Sequence, residues 1–279
     1  MRIVHPAFMA RVSRSGKRFL GVLSVDFLCV CVRIPKCGSS SLTHIVNAAF
    51  SKRRTFYLPH TLNLDASISS FQDLRFVRTR ARNLLMHYRT ASIRKAFDII
   101  SSWAADGDLL AGGHIDFHSV RNHIDRKVQM ITIFREPEKR VRSEYNYSRL
   151  CYLDRGPFRR FDSGMRHKAA GKYDFDGFLD FLLDNRQLYG DVAARYVGWD
   201  GQENLDEFFA RNVFHSGVLE QSDAFEKGLS DKMGVNVSFP HKNRTKKNHE
   251  SGVTAAQRSK IEQIYSRDFA LYEWQLAHV

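Results

Sequence analysis

The sequence predicts an α/β fold of three layers, with a central, mostly parallel sheet flanked by helices. Three observations predict it. Short apolar runs alternate with longer stretches of helical spacing along the chain, which is the pattern of a sheet with helical crossovers. The run Val128-Gln-Met-Ile-Thr-Ile-Phe134 is nearly all apolar or β-favouring, as a strand covered on both faces must be. The run Phe27-Leu-Cys-Val-Cys-Val-Arg33 leads straight into a polar turn and then a helical stretch. With 279 residues, 43% of them hydrophobic, the chain is long enough to bury a full core in one sizeable domain. Neither an internal repeat nor a low-complexity linker divides it. Residues 1–279 therefore read as a single domain, with a basic extension over residues 1–18.

Taken in order, Phe27 to Arg33 is expected as a buried strand. The turn Ile34-Pro-Lys-Cys-Gly-Ser-Ser-Ser41 follows, and Leu42 to Phe50 reads as a helix with Leu42, Ile45, Val46 and Ala49 on one face. Arg78 to Ala105 is mixed helical and strongly basic. Leu109 to Phe117 is a short apolar element with a turn at Gly112-Gly113-His114 near its end. After the strand Val128–Phe134, a helix is expected from Pro137 to about Leu150, the proline sitting in the first turn where its missing N–H costs nothing. Phe175 to Asp184 and Leu188 to Trp199 carry apolar residues at helical spacing, which marks them as core helices. Val213 to Leu219 is a further strand, Pro240 to Lys247 a basic loop, and Thr254 to Leu276 a closing helix.

Lysine and arginine outnumber aspartate and glutamate 43 to 30, a formal net charge of +13. Such a surface favours anionic partners, whether nucleotides, nucleic acid, acidic glycans or lipid headgroups, and does not choose among them. No recognised nucleic-acid motif accompanies the charge. The four cysteines, Cys29, Cys31, Cys37 and Cys151, contain no paired C-x-x-C pattern, so zinc is not expected and a reduced, cytoplasmic setting fits. The apolar run from Phe19 to Val32 is interrupted by Asp26 and is too short for a membrane span, which needs ~20 apolar residues. A soluble protein without a transmembrane segment is expected.

A strand that ends in a glycine- and serine-rich turn opening a helix is an anion site, because loop N–H groups and the helix N-terminus both point at bound negative charge. Here Gly38 lets an anion approach the backbone. Ser39, Ser40 and Ser41 add hydroxyl donors, and Lys36 supplies a mobile cation. This P-loop-like turn departs from G-x-x-x-x-G-K-[ST]. The lysine precedes the glycine and the Mg²⁺-holding position is missing. A second anion site is expected where Val128–Phe134 ends: the Arg135 fork and the Ser143 hydroxyl, two turns into the next helix, suit a terminal phosphate. Both can face the crevice at the carboxyl ends of the strands.

Ile34-Pro-Lys-Cys-Gly-Ser-Ser-Ser-Leu42 resembles the 5′-phosphosulfate loop of PAPS-dependent sulfotransferases. Arg135-Glu-Pro-Glu-Lys-Arg-Val-Arg-Ser143 resembles their 3′-phosphate-binding motif. The Pro-Lys-x-Gly-Ser-x-Ser-Leu form is similar to the carbohydrate branch, the heparan sulfate 2-O- and 6-O-sulfotransferase-like proteins. Weaker echoes are Gly113-His114-Ile-Asp-Phe117, the strand before Glu220, the loop Asn243-Arg244-Thr245, and the spacing of Tyr265, Asp268, Tyr272 and Trp274. The resemblance implies that Pro35, Lys36, Cys37, Gly38, Ser39, Ser40, Ser41, Leu42, Arg135, Ser143 and Arg244 hold PAPS, with PAP as product and no metal required. It implies an acceptor hydroxyl, on a glycan by branch. The Golgi members of that branch carry an N-terminal anchor. This chain shows none, which suggests a soluble, bacterial-type member.

Sulfuryl transfer moves the group in line between two oxygens, so catalysis is positioning plus charge stabilisation. Lys36 is the candidate to neutralise charge on the leaving phosphate oxygen. The acceptor hydroxyl must lose a proton, and a histidine is the natural base. His114 is the choice, by similarity to the segment that carries the catalytic histidine in 2-O-type enzymes, and His118 is the runner-up. The basic segments over 75–94 and 242–247 either line a cleft for an anionic acceptor or form a solvated face. Two rival functions remain at this point, a small-molecule kinase using ATP and Mg²⁺ and a non-enzymatic polyanion binder.

Overall fold

The computed structural model describes residues 25–58, 97–98, 100–112, 114–154, 164–239 and 252–278. The expected basic extension over 1–18, the basic segment 75–94, Gly113 and the loop holding Asn243, Arg244 and Thr245 lie outside the described residues.

Five parallel strands make one sheet: β1 (Leu28–Cys31), β2 (Thr55–Leu58), β3 (Leu109–Gly112), β4 (Val128–Phe134) and β5 (Val213–Val218), in the order β2-β3-β1-β4-β5. β1 lies at the centre, and its four side chains are fully buried. Apolar side chains on both faces are what allow that position. β1 pairs with β3 on one side, Cys29 opposite Leu109, and with β4 on the other, Leu28 opposite Val128.

The order fixes where a ligand can bind. From β1 the chain crosses towards β3 and β2, whereas from β4 it crosses the other way to β5. The connections leaving β1 and β4 part at this switch point, and a crevice opens beyond the carboxyl ends of the two strands.

The flanking helices are α1 (Ser39–Ala49), α2 (Phe117–His123), α3 (Pro137–Leu153), α4 (Met165–Lys172), α5 (Phe175–Asp184), α6 (Arg186–Tyr189), α7 (Val192–Val197), α8 (Leu205–Asn212), α9 (Ser222–Met233), α10 (Ala255–Ile264) and α11 (Ser266–Ala277). β4 and α5 match the sequence reading residue for residue, and the others shift for identifiable reasons. Helix α1 starts at Ser39 rather than Leu42, because left-handed Gly38 already serves as its N-cap. β1 stops at Cys31 although Val32 N–H still bonds the Ile131 carbonyl (2.9 Å), since the chain then turns through Pro35. β2 is an edge strand of four residues that the sequence reading missed.

Two expected helices are broken. Leu188 to Trp199 is interrupted at Gly190 and Asp191. Asp191 is left-handed (φ 45°), and its carboxylate accepts from Arg267 N–H and Nε, each at 2.9 Å. Thr254 to Leu276 is interrupted at Tyr265. That residue is buried and packs its ring under the Arg140 guanidinium, 4.4 Å from the ring centroid. In both places a polar contact to a residue distant in sequence accompanies the break.

Candidate active site

The chain leaves β1 through Arg33, Ile34 and Pro35 and enters a turn with two left-handed residues, Lys36 (φ 67°) and Gly38 (φ 69°). Backbone of this kind forms anion-binding concavities. For lysine the left-handed region costs ~1–2 kcal/mol and persists only where the surroundings enforce it. They do so here. Cys37 N–H bonds the Ile34 carbonyl (3.3 Å), the Cys37 side chain is buried, and Arg135 Nη1 donates to the Lys36 carbonyl at 3.0 Å. At Gly38, φ 69° favours glycine, and a Cβ would stand 2.8 Å from Leu219 Cδ1, which would have to shift.

Ser39, Ser40 and Ser41 form the first turn of α1, which contains no acidic residue. The N–H groups of a first helical turn have no acceptor within the helix. Leu42 points the other way and is fully buried in the core. The Cys37 thiol is pushed up to about 12 by burial, despite the opposing Arg140 and Arg135. It stays protonated and serves packing rather than nucleophilic chemistry.

The strands on either side of β1 each bring one polar side chain to this turn. Beyond β3, His114 Nδ1 lies 2.9 Å from the Arg33 carbonyl, and its ring meets the Tyr196 ring edge-on, with centroids 6.1 Å apart at 84°. A carbonyl only accepts, so Nδ1 carries the hydrogen and Nε2 the lone pair of the neutral ring. Beyond β4, Arg135 reaches the Lys36 carbonyl. The loop after β1 is thus held from both flanks, by His114 on one side and Arg135 on the other. Ser143 is half-buried on α3, four residues before Tyr147 and so on the same helical face.

His118 sits on α2, exposed, with Nε2 2.8 Å from the Asn122 side-chain nitrogen, which donates to it. His215 lies on β5, and Nε2–H donates to the Phe225 carbonyl at 2.8 Å. Burial pushes its pKa down to about 4, so it is neutral. A cavity of about 360 Å³ lies along β5 against α9 and α11, lined by Phe214, Lys232 and Trp274 among others. No residue singled out from the sequence as catalytic or cofactor-binding lines it.

Several residues beside Lys36 escaped the sequence reading. The Lys36 ammonium rests 4.0 Å from the centroid of the Tyr147 ring. Three residues before Tyr147, Glu144 is buried, pairs with Arg166 Nε on α4 at 3.0 Å, and accepts a 2.9 Å hydrogen bond from Ser148 Oγ. Arg140 and Asp268, each 2% exposed, pair at 3.5 Å, and Asp268 also accepts from Ala194 N–H at 2.9 Å. This pair ties α3, the helix that opens just after Arg135, to α7 and α11. Burial lowers the Lys36 pKa, and nearby Glu144 opposes that fall. The spacing of Glu144, Tyr147, Ser148 and Cys151 is that of one helical face, a signal available in the sequence. Arg166 offers no such signal.

Among the described residues, no group of three or more His, Cys, Asp or Glu is placed to hold a metal ion. No helix among them is long and apolar enough to cross a membrane.

The sheet order and the left-handed turn between β1 and α1 define an α/β protein with a concave backbone turn at the tips of β1 and β4, of the kind that forms anion sites. Residues 25–275 match the model of the sulfotransferase family. The chain belongs to that family. Among curated proteins none matches it.

Proposed function

We propose that this sulfotransferase takes the sulfuryl group of PAPS to a hydroxyl acceptor, on a carbohydrate, by in-line displacement with His114 as general base. The observation that carries this reading is the 3.0 Å bond from Arg135 to the Lys36 carbonyl. It brings the two anion-binding motifs against each other at the ends of adjacent strands, as opposite ends of one bis-phosphorylated adenosine require.

The residues fit such a donor. The left-handed turn and the acid-free first turn of α1 form a cradle for the 5′-phosphosulfate. Lys36, its ammonium over the Tyr147 ring, supplies the cation for the charge that grows on the leaving oxygen. Arg135 uses Nη1 on the loop, and its remaining donors suit the 3′-phosphate together with Ser143. His114 takes the acceptor's proton on Nε2, because Nδ1 is committed to the Arg33 carbonyl. As the acceptor oxygen bonds to sulfur, the bond to the phosphate oxygen breaks and its electron pair stays with PAP. His118, exposed on α2, is the weaker candidate, because His114 is the histidine that contacts the chain leading into the turn after β1.

The test is transfer of radiolabelled sulfate from PAPS across a panel of glycans, lipid-linked sugars and phenols, with calorimetric PAP binding as the control. Label on a glycan supports the full reading. Label on a phenol or lipid alone keeps the donor and overturns the carbohydrate. Failure of PAP to bind overturns the donor.

A further inference from the structure

We propose that Glu144 is a positioning residue for Lys36, a buried counter-anion that keeps the ammonium charged and aimed at the anion cradle. This rests on the reading of Lys36 as the group that neutralises the leaving oxygen. The argument begins with burial. An ionised carboxylate that is 4% exposed is costly unless it is compensated. Glu144 is compensated by Arg166 Nε at 3.0 Å and by the Ser148 hydroxyl at 2.9 Å. Nothing about holding α3 and α4 together requires a charge at this depth, and an apolar contact between helices would be as stable. The charge is explained by what lies beside it. Tyr147, on the same face of α3, holds the Lys36 ammonium 4.0 Å from its ring centroid. Lys36 thus lies over a helical face whose buried anion is Glu144.

The electrostatics have a definite sign. The charged or titratable groups facing Lys36 are Glu144, Cys151 and the Tyr147 phenol on α3, Arg135 after β4 and Arg166 on α4. Burial and the two arginines favour the neutral amine, while Glu144 is the strongest influence opposing them. Those facing Glu144 are Arg166, Lys36 and Arg140, with the Ser148 hydroxyl, and together they hold its pKa below the ordinary range although burial pushes it up. Glu144 is therefore ionised at neutral pH, and its field acts on a lysine that would otherwise lose its proton more easily. A neutral Lys36 could not neutralise the leaving phosphate.

The test is competitive acetylation of Lys36 with acetic anhydride over a pH series, read by peptide mass mapping on the full chain. Glu144→Gln is expected to lower the midpoint of Lys36 labelling by about half a pH unit or more. Arg166→Met removes a cation and leaves Glu144 in place, so it is expected to raise that midpoint. The alkaline limb of the transfer rate moves the same way in each variant, which a merely structural role would not produce. An unchanged midpoint in a folded Glu144→Gln variant overturns the proposal. Should that variant not fold, the double variant Glu144→Gln/Arg166→Met, which removes the buried pair together, decides: a midpoint below that of Arg166→Met supports the proposal and an equal one overturns it. PAP binding by the wild type is measured in parallel. Its failure removes the nucleotide reading, whereas the labelling midpoints report separately on Glu144 and Lys36.

Discussion

Arg135 Nη1 donates to the backbone carbonyl of Lys36, two residues that stand 99 positions apart in the chain. The bond holds a left-handed lysine in place and fixes the end of β4 against the turn after β1. Hydrogen bonds to a charged partner contribute about 1.5–3 kcal/mol. Arg135→Ala is therefore expected to weaken PAP binding about ten- to a hundredfold, measured by calorimetry. Arg135→Lys should recover only part of it, because an ammonium cannot serve carbonyl and phosphate with a planar fork.

Lys36, the proposed cation at the leaving oxygen, sits in a backbone conformation that suits glycine. Lys36→Ala and Lys36→Gly are both expected to abolish sulfate transfer. In thermal melts the glycine variant should melt about 2 °C above the alanine variant, since glycine occupies φ 67° without the ~1 kcal/mol penalty of a Cβ. Equal melting temperatures would show that the turn relaxes once the lysine is gone.

His114 is held by the Arg33 carbonyl through Nδ1. His114→Ala is expected to lower kcat by about 10²- to 10⁴-fold with little change in PAP affinity. His118→Ala should leave kcat near wild type. Wild-type turnover in the His114 variant removes it as the base.

His215 predicts an acid-sensitive stability unrelated to catalysis. Its folded pKa of about 4 lies below the ordinary 6.5, chiefly through burial. Between those values the unfolded chain binds a proton that the folded chain refuses, so stability falls as pH drops from about 6.5 to 4. The full effect is about 3 kcal/mol. Thermal melts across that window should show a steeper decline for wild type than for His215→Phe.

Much of the fold was legible because it rests on strong local signals. Val128–Phe134 could only be a buried strand, and Pro137 marks where the next helix begins. The turn at Lys36 and Gly38 was legible as the opening of a helix, because a glycine followed by three serines suits a helix N-terminus. What escaped depends on contacts distant in sequence. Tyr265 breaks a helix to reach Arg140, and Asp191 breaks another to reach Arg267. β2 has only four residues, and its place comes from pairing with β3. Arg166 is an ordinary surface residue type by sequence, and only packing reveals that it pairs with buried Glu144 near Lys36.

The central strand has a bearing on how the chain is made. β1 is among the first described segments to be synthesised, yet Val32, at its end, finds the Thr132 hydroxyl 100 residues later. Neither neighbour of β1 exists when it leaves the ribosome, and pairings this remote form slowly. A nascent chain therefore carries an unpaired, wholly apolar segment until β3 and β4 have been made. Such a segment is a natural target for chaperone holding and the first place to look when truncated forms precipitate.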